Sequence, residues 1–193
     1  MTRIPQAVLF RVLYIALVTL VILFLIGLSS NVRQSRAIEM LILEASRLES
    51  IHPRLLSAVI SQESGFNPGV RGEAGEIGLM QITAGAVEDW AREHDLDPIP
   101  EESLWNPQTN IAVGAWYLGR AIRHWEKEKC RDPLPFALAE YNAGRSTVAR
   151  WVDAGGKKPD NFLDAITYPT TRNYVDDILE NFEQLQPKST GVQ

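Results

Sequence analysis

The hydrophobic positions at the start of the chain form one long run. From Val12 to Leu28 the sequence is VLYIALVTLVILFLIGL, in which Thr19 is the one clearly polar side chain, and residues 8–10 extend the run upstream. A helix of about 20 apolar residues spans the hydrocarbon core of a bilayer, and Arg11 can extend its charge toward the headgroups. The pattern predicts a single transmembrane helix at residues 8–28, within an N-terminal anchor segment of residues 1–36.

A cleavable signal peptide is the alternative interpretation of this run. Signal peptides usually have an apolar region of only about 7–15 residues, followed by small residues at the cleavage site. The run here is longer, Ser29-Ser30-Asn31 is a poor cleavage site, and no cysteine follows closely enough to carry a lipid. We therefore favour an uncleaved anchor. Two arginines precede the run and two follow it, so positive charge alone does not set its orientation.

Beyond residue 36 the apolar positions recur at helical spacing. Residues 38–49 place their apolar side chains on one stripe, and Pro53, at a tolerated first-turn position, opens a second helix. No sustained alternation of apolar and polar residues predicts a strand. The fold class is therefore mainly α, with a domain at 37–186 and a tail at 187–193. The same spacing predicts helices at 79–93, 108–128, 134–142, 146–153 and 172–185, and a proline-rich surface connection at 95–107.

Composition and charge exclude several classes of protein. The 193 residues are 45% hydrophobic, which suffices for one domain with a core, and a single cysteine excludes a disulfide scaffold. Residues 1–36 carry four arginines and no acidic residue, so the remaining 15 basic and 24 acidic residues give residues 37–193 a net charge of −9. Nucleic-acid binding requires clustered lysine and arginine. We therefore do not expect nucleic acid as a partner.

The sequence carries no signal for a metal or a cofactor. His52, His94 and His124 are scattered without the spacing of metal ligands. The glycines between positions 69 and 78 follow a helix and lack the Lys-Ser/Thr of a phosphate-binding loop. We therefore expect the domain to work without a cofactor.

Glu63 is a candidate for acid chemistry because of its position. It follows Val59 by four residues and Ile60 by three, so it shares the buried face of the second predicted helix and lies in its last turn. Partial burial and the negative end of the helix dipole both raise the pKa of a carboxyl group. A raised pKa lets a general acid hold its proton near neutral pH. On position alone, however, a glutamate at a helix end is more often solvated or salt-bridged.

Four short motifs follow one another along the domain. They are residues 63–68 (ES-x-FNP), residues 78–81 (GLMQ), residues 110–118 (NI-x2-G-x2-YL) and residues 141–144 (YNAG). In this order they resemble the lytic transglycosylases with the soluble-lytic-transglycosylase (SLT) domain, which are relatives of goose-type lysozyme. The resemblance covers roughly residues 48–179 and implies a lysozyme-like fold after the single N-terminal transmembrane helix.

The resemblance also implies which residues form the site. Glu63 matches the single catalytic acid/base of the family, and the tyrosine of YNAG is expected close to its carboxyl group. The residues implied as substrate-binding are Ser64, Met80, Gln81, Tyr117, Tyr141 and Asn142.

The reaction implied by the resemblance needs only one carboxyl group. The acid protonates the glycosidic oxygen between N-acetylmuramic acid and N-acetylglucosamine in peptidoglycan, and the substrate's own N-acetyl group stabilises the developing cation. The same glutamate then activates the muramoyl 6-hydroxyl to attack C1, which gives a 1,6-anhydro sugar. Glu73 and Glu76 lie in a glycine-rich loop that looks exposed, so we expect both to be solvated. A single acid with substrate assistance then fits better than the usual pair of carboxylates.

Three positions depart from the family pattern. Gly72 stands where the family has a serine, so a cleft hydrogen bond is absent or supplied by Ser64 or water. Thr83-Ala84 replaces Met-Pro, and Thr171 replaces a glutamate in the closing block at residues 166–175, which removes a second cleft carboxylate. These changes alter the walls of the site but leave the acid in place.

Two other functions stay open at this stage. A hydrolase of the goose-lysozyme kind would use the same acid but let water attack C1. A catalytically silent peptidoglycan-binding or assembly module would use no catalytic acid. For each, the substrate places the domain in the periplasm or cell-wall space, with the N-terminal helix in the bacterial inner membrane. The small size and the lack of wall-binding repeats also suggest, as a hypothesis, a partner in a trans-envelope assembly.

Overall fold

The computed structural model describes residues 6–184, apart from the side chains of 6–14, 16 and 28–31. The described residues divide into two compact units, one ending at Met40 and the other beginning at Leu41. Within this range the chain is helical, with two isolated β-bridges and no strand. The prediction of a mainly α fold is confirmed. The predicted tail at 187–193 lies outside the described residues, and the boundary at residues 36 and 37 stays a prediction.

The N-terminal helix, α1, spans Gln6–Glu49 and includes both the apolar run and the predicted helix at 38–49. It is the one helix in the described part of the chain that is long and apolar enough to cross a membrane. Large apolar side chains along it are exposed, including Leu20, Phe24 and Ile26. An exposed apolar helix of this length needs an apolar environment, and the length and exposure of α1 are those expected of a membrane anchor.

The second unit is built from the end of α1 and seven further α-helices. Helix α2 packs against α8, α8 against α5, and α5 against α4, so that α2, α8 and α5 lie side by side. Arg123 on α4 pairs with Glu49 at the end of α1 at 3.1 Å. The helices are α2 (Pro53–Ser64), α3 (Ala84–Glu93), α4 (Pro107–Lys127), α5 (Leu134–Ala143), α6 (Arg145–Gly155), α7 (Pro159–Ala165) and α8 (Pro169–Gln184).

The prediction of a helix over 79–93 is wrong at its start, because α3 begins only at Ala84. Ile77 and Ile82 exchange two backbone hydrogen bonds of 3.0 Å, which closes residues 78–81 into a tight turn. The Thr83 hydroxyl then accepts a hydrogen bond from the Ala86 amide and caps α3. The apolar residues Leu79, Met80 and Ile82 are buried by this turn and not by a helix.

Two short elements were not predicted. A 3₁₀ helix, Glu101–Trp105, lies inside the expected surface connection and buries Leu104. Helix α7 has seven residues, too few for a periodic pattern to reveal. It is held by Phe162, which is fully buried and stacks on Phe136 of α5 with ring centroids 4.1 Å apart. Both elements exist because tertiary packing covers one apolar side chain in each.

Candidate active site

Glu63 lies in the last turn of α2, as the sequence predicts, and faces α8. The Tyr174 hydroxyl on α8 donates a hydrogen bond of 2.5 Å to Oε1 of Glu63. The packing of α2 against α8 brings together two residues that are far apart in the chain. The carboxyl group therefore has a fixed position and one fixed donor.

Burial raises the pKa of Glu63 from 4.5 to about 7. The hydrogen bond from Tyr174 opposes this effect because it stabilises the ionised form, while the negative charge of Glu76 raises the pKa further. The balance leaves a carboxyl group that is close to half protonated at neutral pH. Such a group can give a proton and take one back, which general acid/base catalysis requires.

Two tyrosine hydroxyls feel the charge of this carboxyl group and remain neutral. Burial raises the pKa of Tyr174 and of Tyr141 well above 10, and the charge of Glu63 adds to the rise in both. Tyr141, on α5, donates its hydroxyl to the carbonyl oxygen of Met80 at 2.8 Å. Both tyrosines therefore act as hydrogen-bond donors and not as acids near neutral pH.

Asn110 on α4 holds the loop that contains the GLMQ motif. Its amide group donates to the carbonyl oxygens of Ile77 at 2.7 Å and Leu104 at 3.0 Å, and accepts from the Met80 amide at 2.8 Å. Gly78 passes so close that a Cβ there would lie 2.5 Å from the Asn110 amide nitrogen, and its φ of +78° also favours glycine. This buried side chain fixes the loop relative to α4.

Two predicted substrate-binding residues have structural contacts. The Ser64 hydroxyl lies 2.8 Å from the Leu79 carbonyl oxygen and 3.2 Å from that of Ile60, so its proton is engaged and does not replace the serine missing at Gly72. The Met80 side chain is fully buried against Gly114. This differs from the expectation that Met80 lines the cleft, because the 77–82 turn directs it into the core.

Gln81 lies at a turn position with a φ of +48° and is half-buried. Its side-chain nitrogen donates to the carbonyl oxygens of Gly78 at 2.9 Å and Val70 at 3.3 Å. These bonds tie the two arms of the 65–83 loop together. They also direct the remaining oxygen, Oε1, toward Gly72.

Tyr117 lies on α4, and Asn142 follows Tyr141 on α5. The ring of Tyr117 meets that of Tyr141 edge to face, with centroids 5.8 Å apart, and the Arg120 guanidinium lies 4.9 Å from the centre of the Tyr117 ring. Asn142 is exposed, and its Oδ1 accepts a hydrogen bond of 2.7 Å from the buried Thr171 hydroxyl. Thr171 thus orients the Asn142 side chain.

The two loop glutamates differ in their surroundings. Glu73 is exposed, as expected. Glu76 is half-buried, accepts a hydrogen bond of 3.1 Å from the Ala74 amide, and acts electrostatically on Glu63. The expectation that Glu76 is a solvated loop charge stays a prediction, because its side chain keeps part of its exposure while its charge acts on Glu63. Within residues 6–184 no cluster of three or more His, Cys, Asp or Glu side chains has the arrangement of a metal site.

Residues 40–163, more than half of the chain, match the family model described as the Transglycosylase SLT domain. The chain belongs to this family. The SLT match includes Glu63 and the three motifs that follow it but ends before Tyr174.

Relatives of this SLT chain include soluble and membrane-bound proteins. The soluble lytic murein transglycosylase of Salmonella typhimurium is 31% identical over 137 residues, which are 69% of this chain and 20% of that protein. The endo-type membrane-bound lytic murein transglycosylase A of Citrobacter koseri is 33% identical over 120 residues, 60% of this chain and 59% of that protein. The chain thus spans about a fifth of the soluble relative.

A solved structure has the same fold. The 70 kDa soluble lytic transglycosylase of Escherichia coli aligns with a TM-score of 0.65 and 27% identity, covering 74% of this chain and 23% of that one. The lysozyme-like SLT fold predicted from the motifs is confirmed by this match and by the family model.

Tyr174, Asn110 and Glu76 were not singled out as site residues from the sequence. Tyr174 lies in the closing block and Asn110 opens the NI motif, so both were within recognised motifs. Glu76 lies two positions before the first residue of GLMQ, and no local pattern distinguishes it from the exposed Glu73.

Proposed function

We propose that this chain is a peptidoglycan lytic transglycosylase that cleaves the β-1,4 bond between N-acetylmuramic acid and N-acetylglucosamine, with Glu63 as its single general acid/base. The observation that carries the proposal is the Glu63 carboxyl group, with a pKa of about 7 and a hydrogen bond from Tyr174. Family membership and the names of the relatives support the substrate class.

In the first step Glu63, in its protonated form, gives its proton to the glycosidic oxygen. The C1–O bond breaks, the N-acetylglucosamine end leaves with a new hydroxyl, and the carbonyl oxygen of the muramoyl N-acetyl group stabilises the positive charge at C1. Burial supports this step because it keeps the proton on Glu63 near neutral pH.

In the second step the Glu63 carboxylate takes the proton of the muramoyl 6-hydroxyl, whose oxygen attacks C1. The product is a 1,6-anhydro ring, Glu63 regains its proton, and no water is consumed. The Tyr174 hydroxyl supports this step because its hydrogen bond stabilises the carboxylate between the two proton transfers. Tyr141 positions the Met80 carbonyl and hence the peptide bond that leads into Gln81.

We also propose that α1 anchors the domain in the inner membrane, with the catalytic domain in the periplasm. The length and apolar character of α1 support an anchor, and membrane-bound relatives exist in the family. An anchored enzyme acts on wall within reach of its own membrane. The trans-envelope assembly partner stays a hypothesis from the sequence.

One observation favours a second candidate function, hydrolysis of the same bond. Glu76 places a second carboxylate near Glu63, and a second carboxylate can activate a water molecule for attack on C1. The hydrolase would leave a reducing N-acetylmuramic acid end, whereas the transglycosylase leaves the anhydro form.

The product distinguishes these functions. The full chain in detergent micelles is incubated with purified sacculi, beside Glu63→Gln and the matched control Glu73→Gln, and the released muropeptides are identified by mass spectrometry. We expect anhydro ends from the parent and from Glu73→Gln, and none from Glu63→Gln. Reducing ends would assign the hydrolase. No release from folded parent protein would favour the silent binding module.

A further inference from the structure

The carboxylate of Glu76 occupies space that a side chain at position 72 would need. A Cβ built on Gly72 would overlap with Oε2 of Glu76 and lie 2.8 Å from Oε1 of Gln81. Such close contacts with a carboxylate and an amide oxygen do not occur for real side chains. Gly72 is therefore the residue that allows Glu76 and Gln81 to approach each other.

The orientation of the Gln81 amide is decided by its hydrogen bonds. Its nitrogen has two backbone carbonyls as partners, Gly78 and Val70, and carbonyl oxygens only accept hydrogen bonds. The nitrogen must therefore face these carbonyls, and the oxygen must face Gly72. The two groups that meet over Gly72 are both acceptors.

Each of the two oxygens over Gly72 can accept a further hydrogen bond. Oε2 of Glu76 accepts from the Ala74 amide at 3.1 Å. Within the described part of the chain, neither Oε1 of Glu76 nor Oε1 of Gln81 has a hydrogen-bond partner. Two half-buried acceptors side by side repel each other, and a donor group placed between them would relieve this repulsion.

The acceptors belong to the same site as Glu63. Gln81 directly follows Met80, whose carbonyl oxygen binds the Tyr141 hydroxyl, and the charge of Glu63 acts on Tyr141. Glu76 acts electrostatically on Glu63 itself. A ligand group seated over Gly72 would therefore lie beside a carboxylate whose charge reaches Glu63.

We propose that Glu76 and Gln81 form an acceptor pair over Gly72 that binds a hydrogen-bond donor of the glycan strand, an amide N–H or a hydroxyl of a sugar. The identity of the ligand rests on the proposed function, whereas the convergence of the two oxygens does not. Glu76 is then a substrate-binding residue.

Binding can be measured separately from cleavage. The full chain carrying Glu63→Gln, in detergent micelles, is titrated calorimetrically with a tetrasaccharide of alternating N-acetylglucosamine and N-acetylmuramic acid. Adding Glu76→Gln removes the charge and keeps one acceptor, so we expect the Kd to rise about fivefold to tenfold. Adding Glu73→Gln, the same change at an exposed position of the same loop, should leave the Kd unchanged.

A second pair of variants keeps every charge. Gly72→Ala places a Cβ where the acceptors meet and forces the Glu76 carboxylate away, so we expect a similar rise in Kd. Gly69→Ala is the matched control, because a Cβ there would lie 3.4 Å from its nearest neighbour, an ordinary contact. Unchanged melting temperatures would show that both proteins fold.

A pH profile provides a readout that a merely structural role would not change. The titratable groups facing Glu63 are Tyr174 from α8, Tyr141 from α5 and Glu76 from the loop. Removing the charge of Glu76 lowers the pKa of Glu63, so the alkaline limb of kcat/KM should move to lower pH while KM rises. Glu73→Gln should change neither quantity.

The two proposals fail in different ways. Equal Kd values for the Glu76→Gln and Glu73→Gln proteins, or no binding by any of them, would overturn the acceptor pair whatever the activity. Tetrasaccharide binding that weakens with Glu76→Gln, together with a parent protein that releases no anhydro ends from sacculi, would support the pair and overturn the transglycosylase.

Discussion

The hydroxyl of Tyr174 lies 2.5 Å from Oε1 of Glu63, although the two residues are 111 positions apart in the chain. Burial raises the pKa of Glu63 and this hydrogen bond lowers it. The resulting pKa is about 7. The position of α8 against α2 therefore affects both the orientation and the protonation of the proposed acid.

Replacing Tyr174 with phenylalanine should move the pH profile. Without the hydrogen bond the carboxylate is less stable, so the pKa of Glu63 rises and the alkaline limb of kcat/KM moves to higher pH. We expect kcat to fall about tenfold, because a hydrogen bond to a charged group contributes about 1.5–3 kcal/mol. Steady-state rates on sacculi from pH 5 to 9 would test this. Tyr168→Phe, at an exposed tyrosine, is the control, and an unmoved limb would contradict the role of Tyr174.

Glu63→Gln should stabilise the protein at alkaline pH. Since the pKa of Glu63 is raised in the folded state, its stabilising contribution is complete below pH 4.5 and is lost as pH rises through about 7. Glutamine does not titrate, so the gain in unfolding free energy should be about 2–3 kcal/mol larger at pH 8 than at pH 5. Urea unfolding in one detergent at both pH values measures this. A gain independent of pH would mean that Glu63 is not desolvated.

Asn110→Ala should destabilise the domain strongly. It leaves the Met80 amide and the carbonyl oxygens of Ile77 and Leu104 without their buried partner. Each unsatisfied buried group costs about 1–3 kcal/mol, so we expect a loss of about 3 kcal/mol or more in unfolding free energy. Thermal and urea unfolding measure the loss. Asn173→Ala, at an exposed position of α8, should change the stability by less than about 0.5 kcal/mol.

The full chain should remain in the membrane fraction after alkaline carbonate extraction. An apolar helix that spans a bilayer resists high pH and high salt, whereas a protein bound by surface charge is released. Expression in a bacterium, followed by fractionation and N-terminal sequencing of the extracted protein, measures this. Recovery of a released form that begins after Ser30 would instead show a cleaved signal peptide.

Much of the helical framework could be predicted because helical periodicity is local. The stripe from Leu55 to Ile60 indicated α2, and it placed Glu63 on the buried face in the last turn. Predicted helices over 108–128, 134–142 and 146–153 match α4, α5 and α6 to within two residues. The prediction failed at residues 79–83, because the buried Leu79, Met80 and Ile82 of a turn cannot be told from those of a helix by composition.

The sequence by itself determined the mainly α fold, the SLT family and the position of Glu63, since each depends on neighbouring residues or on motifs read in order. Only the tertiary structure decided that Tyr174 binds Glu63, that Met80 is buried and that Glu76 meets Gln81 over Gly72. These contacts join helices and loop arms distant in the chain. Their geometry follows from the packing of α2, α5 and α8 and from the folded 65–83 loop, which no local pattern encodes.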